Sequence, residues 1–122
     1  ENDNLIVQNL DANPDMLGIF GYSYMEENAS KVHGITMDGV TPTNETISSG
    51  KYPGARKLYI YVNKAHVDKI PGIKEFVAEL LKGGVTGGYM TKLGMIASTE
   101  ADHKAANEAA TSFVAMTGAD LK

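Results

Sequence analysis

Between Lys57 and Leu81 the spacing of apolar residues switches from one repeat to another, and few folds accommodate that switch. Leu58, Ile60 and Val62 alternate with Tyr59 and Tyr61, the two-residue period of a strand. From Ile73 onward, Phe76, Val77, Leu80 and Leu81 follow the i, i+3, i+4, i+7, i+8 rule of a helix with one apolar face. Pro71 suits the start of that helix and Gly83 its C-terminal cap. A strand followed by a one-sided helix predicts a sheet with helices laid upon it, an α/β fold.

Other segments fit the same scheme. Leu17 to Tyr24 is apolar or aromatic on both faces, as a buried strand is, and Gly18 and Gly21 within it suggest a close backbone approach or a bend. Asp3 is positioned to cap a short helix carrying Ile6, Val7 and Leu10, closed by Pro14. Met25 to Ser30 reads as a helical turn, and Val32 to Met37 as a short strand ended by Asp38-Gly39. Thr41-Pro42-Thr43 opens a short helix ending at Gly50, and Tyr52-Pro53-Gly54 is a turn. Beyond the glycine-rich run Gly83 to Gly88, a short helix is expected at Tyr89 to Lys92. A last helix opens at Thr99 with Asp102, bears an apolar stripe of Ala101, Ala105, Ala109, Phe113 and Met116, and stops at Gly118.

The chain is long enough for one domain, since it has 122 residues. With 43% apolar residues it is too apolar for a disordered chain. A net charge of −4, with the cations scattered, disfavours nucleic acid and anionic membranes. There is no cysteine, so disulfides, thiolate metal sites and a cysteine nucleophile are excluded. No apolar run approaches the roughly 18 residues of a membrane helix. The first residue is Glu1 and no signal peptide is visible, so an excised piece is the expectation.

Catalytic chemistry finds little purchase. His33, His66 and His103 lack the short spacing of a helix-borne metal site and read as surface residues. The Gly83 to Gly88 run lacks the Gly-Lys-Ser/Thr ending of a phosphate loop and reads as a turn. Glu26-Glu27 reads as solvated charge, and Ser23 lies outside any nucleophile-elbow context. Tyr22, Tyr24, Tyr59 and Tyr61 suit a half-buried sheet face or, alternatively, a tyrosine-lined cleft. No metal, no cofactor and no enzymatic activity are expected.

Five landmarks occur in a telling order: Asn4-Leu5-Ile6-Val7-Gln8, Gly18-Ile19-Phe20-Gly21-Tyr22-Ser23-Tyr24, Thr41-Pro42-Thr43, Ser49-Gly50-Lys51-Tyr52-Pro53 and Lys64-Ala65-His66-Val67. In these the chain resembles the C-terminal portion of the periplasmic phosphate-binding proteins, the PstS-type solute receptors of phosphate ABC importers. The resemblance implies a partial lobe of a two-lobed, type II periplasmic-binding-protein fold, with a short sheet packed by helices. Residues 1–122 would form a single partial domain, with 1–24 as the end of the second lobe and the hinge strand, and 25–122 as first-lobe elements.

The implied function is phosphate binding for a phosphate ABC transporter in the periplasm, with inorganic phosphate and the transporter permease as partners. Gly21, Tyr22 and Ser23 would lie near the phosphate cleft, where the chain crosses between lobes. The family's Gly-Ser-Ser/Thr-type loop and its Arg-x-x-x-Ser-Gly-Thr-type segment are both absent, and the single arginine, Arg56, stands in another context. The alternative is a scaffold-only interaction module that oligomerises and does not bind phosphate. Strands without their partners leave open edges and an uncovered apolar face, so self-association or pairing with a missing N-terminal polypeptide is expected.

Overall fold

A computed structural model of the chain describes residues 2–120. They divide into two units, separated between Ala55 and Arg56.

In the first unit, helix α1 (Asp3–Ala12) is capped by Asn2, whose side chain accepts from the Asn4 amide at 3.0 Å, so Asp3 stands inside the first turn rather than at the cap. Its inner face carries buried Val7 flanked by half-buried Ile6 and Leu10. Helix α2 (Tyr22–Glu27) packs against α1. The Gly21 amide donates to Asp3 Oδ2 at 3.3 Å, and Lys31 pairs with Asp11 at 3.1 Å. Gly18 lies so close to α1 that a Cβ there would stand 2.8 Å from Ile6 Cγ2 and 2.9 Å from Leu10 Cδ1.

Asp38 and Gly39, with φ of 49° and 77°, form the tight turn expected of that pair. Met37 and Val40 exchange two main-chain hydrogen bonds across it. Helix α3 (Asn44–Ser48) starts from a reciprocal cap. Thr43 Oγ1 accepts from the Thr46 amide at 3.1 Å while Thr46 Oγ1 accepts from the Thr43 amide at 2.9 Å. Gly50 ends the segment in the left-handed region, where glycine alone carries no Cβ penalty.

The second unit is built on helix α5 (Ile73–Gly83), which packs against α4 (Lys64–Val67), α6 (Tyr89–Lys92) and α7 (Glu100–Ser112). Buried Val77 is the centre of its inner stripe, with Ile73, Leu80 and Leu81 half-buried. Phe76 points away and is exposed. The glycine-rich run serves packing: a Cβ on Gly88 would run into the Gly83 carbonyl, and one on Gly83 would meet the Tyr89 ring at 2.5 Å. Thr99 caps α7, accepting from the Asp102 amide at 3.1 Å.

The stripe expected on α7 is rotated. Ala106, Ala110 and Phe113 are half-buried, whereas Ala101, Ala105 and Ala109 are exposed. Alanine occurs all round this helix, so its placement carries little directional signal. The helix stops at Phe113, in the left-handed region at φ 46°, rather than at Gly118, which opens a single 3₁₀ turn.

The expected α/β lobe is corrected by these observations. Among the described residues there are seven α-helices, one 3₁₀ turn and an isolated bridge between Met37 and Val40, with no strand. The two-lobed architecture of a type II periplasmic binding protein needs a sheet, and the described residues form none. The reason is local. A strand's N–H and C=O groups are satisfied only by a second strand, and no strand lies beside Leu17 to Tyr24, Val32 to Met37 or Lys57 to Lys64. At Tyr22 a helix satisfies its own backbone instead, with the Tyr24 amide on Gly21 O and the Asn28 amide on Tyr24 O.

Candidate interaction surface

The segment 56–62 joins nothing in its own unit through its main chain. Among the described residues, none of its amides or carbonyls enters a main-chain hydrogen bond. Its side chains are equally uncovered: Leu58 is 72% exposed, Tyr59 68%, Ile60 54% and Tyr61 69%. An exposed leucine alone is ordinary, but four consecutive large apolar side chains with free backbone form a contiguous interaction surface.

Both ends of the segment are held. Lys57 Nζ donates to Asp102 Oδ1 at 2.6 Å, and Asp102 also accepts from the Thr99 hydroxyl at 2.9 Å. The Lys57 hydrogen bond first, and the Thr99 hydroxyl second, hold the Asp102 carboxyl below the usual carboxylate range. The same hydrogen bond raises Lys57. At the other end Asn63 caps α4, its side chain accepting from the Ala65 amide at 3.0 Å, and Val62 is half-buried. The apolar stretch is thus presented between two anchors. Neither anchor is legible in the sequence: Lys57 and Asp102 are far apart, and the strand expected over Lys57 to Lys64 runs through the Asn63 cap into the start of α4.

In the first unit Leu17 and Ile19 are also outward, at 79% and 96% exposure, while Gly18 and Phe20 turn inward. This is a two-residue alternation without a ladder.

The residues expected near a phosphate cleft lie at the start of α2. Gly21 is its N-cap, and Tyr22 and Ser23 open the helix, half-buried. Two carboxylates attend them. Asp3 accepts from the Gly21 amide, and Tyr22 is pushed up by burial first and then by Glu26, which also accepts from Asn44 Nδ2 at 3.2 Å. Of the tyrosines grouped by sequence, Tyr22 and Tyr24 are helical and Tyr59 and Tyr61 stand on the exposed segment. His33 and His66 are exposed and His103 half-buried. Among the described residues no three acidic, histidine or cysteine side chains gather as a metal site would require.

The surface depressions are shallow. One of about 230 Å³ is lined by Val67, Asp68, Ile70, Pro71 and Lys74, and one of about 400 Å³ by Lys104, Asn107, Glu108 and Thr111. Phosphate binding, the phosphate and permease partners, and the place in a phosphate importer are accordingly corrected. The sheet core and inter-lobe cleft on which they depend are not built by the described residues. No described helix is long and apolar enough to cross a membrane.

The fold and surface define a helical chain with an uncovered apolar segment. By sequence it is similar to several curated proteins. It is 34% identical over 84 residues to the phosphate-binding protein PstS of Staphylococcus saprophyticus, covering 65% of this chain and 26% of that protein. The PstS of Staphylococcus haemolyticus is 31% identical over 106 residues, covering 83% and 33%. Protein SphX of Synechocystis is 33% identical over 101 residues, covering 79% and 30%. The chain spans about a third of the length of the curated relatives it matches. No family model matches, and no solved structure does. The likeness is one of sequence over part of those proteins, and the helical architecture here does not extend it to their fold.

Proposed function

We propose that this chain is a non-catalytic assembly element, whose segment 56–62 completes a sheet with another polypeptide edge. The observation that carries this reading is the coincidence of unbonded main chain and exposed Leu58 to Tyr61 on one anchored segment. Strand addition takes its affinity from such main-chain groups and its selectivity from the alternating side chains.

Surface area supports the same reading. The chain exposes 9284 Å² at a mass of 13.0 kDa. Two separate compact bodies of half that mass would together expose about 7,700 Å². The buried apolar side chains among the described residues are four valines, Val7, Val32, Val67 and Val77, and Pro42. The large apolar side chains left exposed, Leu58 to Tyr61 among them, are what association would cover. A periplasmic setting belongs to the proposal, with osmotic-shock release from the native cell as its test.

The test is a fluorescence-anisotropy titration of dilute chain into a labelled strand peptide of alternating Thr and Val flanked by Glu. The comparison peptide has alternate amides N-methylated, which removes ladder hydrogen bonds. Saturable binding of the first and loss of binding for the second is expected. Equal behaviour of the two peptides overturns the reading.

A further inference from the structure

We infer that the polypeptide completing this segment is a second copy of the chain, paired antiparallel about Ile60. The inference rests on the assembly reading above and names its partner. Around Ile60 the sequence reads almost alike in both directions, Tyr59 mirroring Tyr61, Leu58 mirroring Val62 and Lys57 mirroring Asn63. A two-fold axis through an antiparallel pair brings such mirrored positions face to face. Each Tyr59 then lies across from the partner's Tyr61, each Leu58 from the partner's Val62, and the two Ile60 residues from each other. Aromatic stands against aromatic and aliphatic against aliphatic, on opposite faces. A slip of one residue would set tyrosine against aliphatic throughout and exchange the faces.

The four exposed side chains offer at most about 500 Å² per copy, so about 1,000 Å² is the upper bound for the pair, at the small end of specific interfaces. The charges also permit it. Lys57 is neutralised within its own unit by Asp102 at 2.6 Å and meets the partner's Asn63, a neutral side chain. Arg56 and Lys64 face like charges only at the two ends, so added salt should strengthen the pair by screening them.

The chain has no cysteine, which allows a direct test of register. Residues opposite each other across an antiparallel pair have Cα atoms about 4.5–5.5 Å apart, within disulfide reach. Ile60→Cys is expected to form a disulfide-linked dimer under mild oxidation roughly tenfold or more faster than Phe76→Cys on the exposed face of α5. Leu58→Cys alone is expected to match the slow control, and Leu58→Cys with Val62→Cys the fast variant. Sedimentation of the unsubstituted chain gives an independent readout, a dimer strengthened by salt. Equal rates for Ile60→Cys and Phe76→Cys, or a monomer at all concentrations, overturn the self-pairing. If the strand peptide of the previous section still binds, the assembly reading survives that failure; if it does not, both fall.

Discussion

Helix α5 and segment 57–62 lie close in sequence and carry comparable apolar patterns, yet one becomes a regular element and the other does not. The helix closes its hydrogen bonds within its own residues, so buried Val77 and half-buried Ile73, Leu80 and Leu81, packed against its neighbouring helices, suffice to hold it. The segment needs a second chain edge to close even one ladder bond. Its alternation is strand-like, yet no strand forms there among the described residues, because pattern states what an element suits and not whether its partner is present. Helical order is a local property of this chain; strand order is conditional on something else.

This contrast invites tests by substitution. The largest effect is expected at Val77, buried on the inner face of α5. Val77→Asp places an unpaired charge there and should destabilise the second unit by about 3 kcal/mol or more, measured as a fall in the urea midpoint. Next is Gly88→Ala, whose Cβ would stand 2.8 Å from the Gly83 carbonyl carbon and from Lys82 O, both backbone atoms. A loss of about 2 kcal/mol is expected, with loss of helicity around α6 by circular dichroism.

Asp102→Asn should cost less than about 1 kcal/mol, because the Lys57 pair is largely solvent-screened. Its pH signature is more telling. The Asp102 carboxyl is depressed below 3.8, so its contribution is present above 3.8 and lost as pH falls through the lower folded value. Lys57 is raised above 10.5, so its contribution is present below 10.5 and lost as pH rises through the higher folded value. The difference between variant and parent midpoints should therefore be constant near neutrality and shrink in strong acid. The smallest effect on the dilute chain belongs to Ile60→Lys. With Ile60 more than half exposed, stability should move by less than about 0.5 kcal/mol, while association is lost by sedimentation.

Much of the fold was legible where interactions are short in sequence. The α6 bounds Tyr89 to Lys92, the α5 stripe apart from Phe76, the Thr99–Asp102 cap, the Asp38-Gly39 turn and the short helix after Thr43 all follow from contacts a few residues apart. The close approach at Gly18 was also anticipated, though its neighbour is α1 rather than a sheet. The expectations that failed were non-local. Leu17 to Tyr24 was read as a strand on apolarity alone, and its second half turned helical. The α7 stripe was assigned from alanines that occur on every side, and the packed side was set by tertiary contact with α5. The Lys57–Asp102 anchor spans most of the second unit and left no local signal.

The central claim is that order in α5 is intrinsic while order in 57–62 is conferred by pairing. Residue-resolved amide hydrogen exchange, run on the dilute chain and again under associating conditions, tests it most directly. The account predicts α5 amides protected in both, and the amides of 57–62 exchanging freely when dilute and slowly once associated. Protection of 57–62 in a dilute monomer, or free exchange there in both conditions, would contradict it.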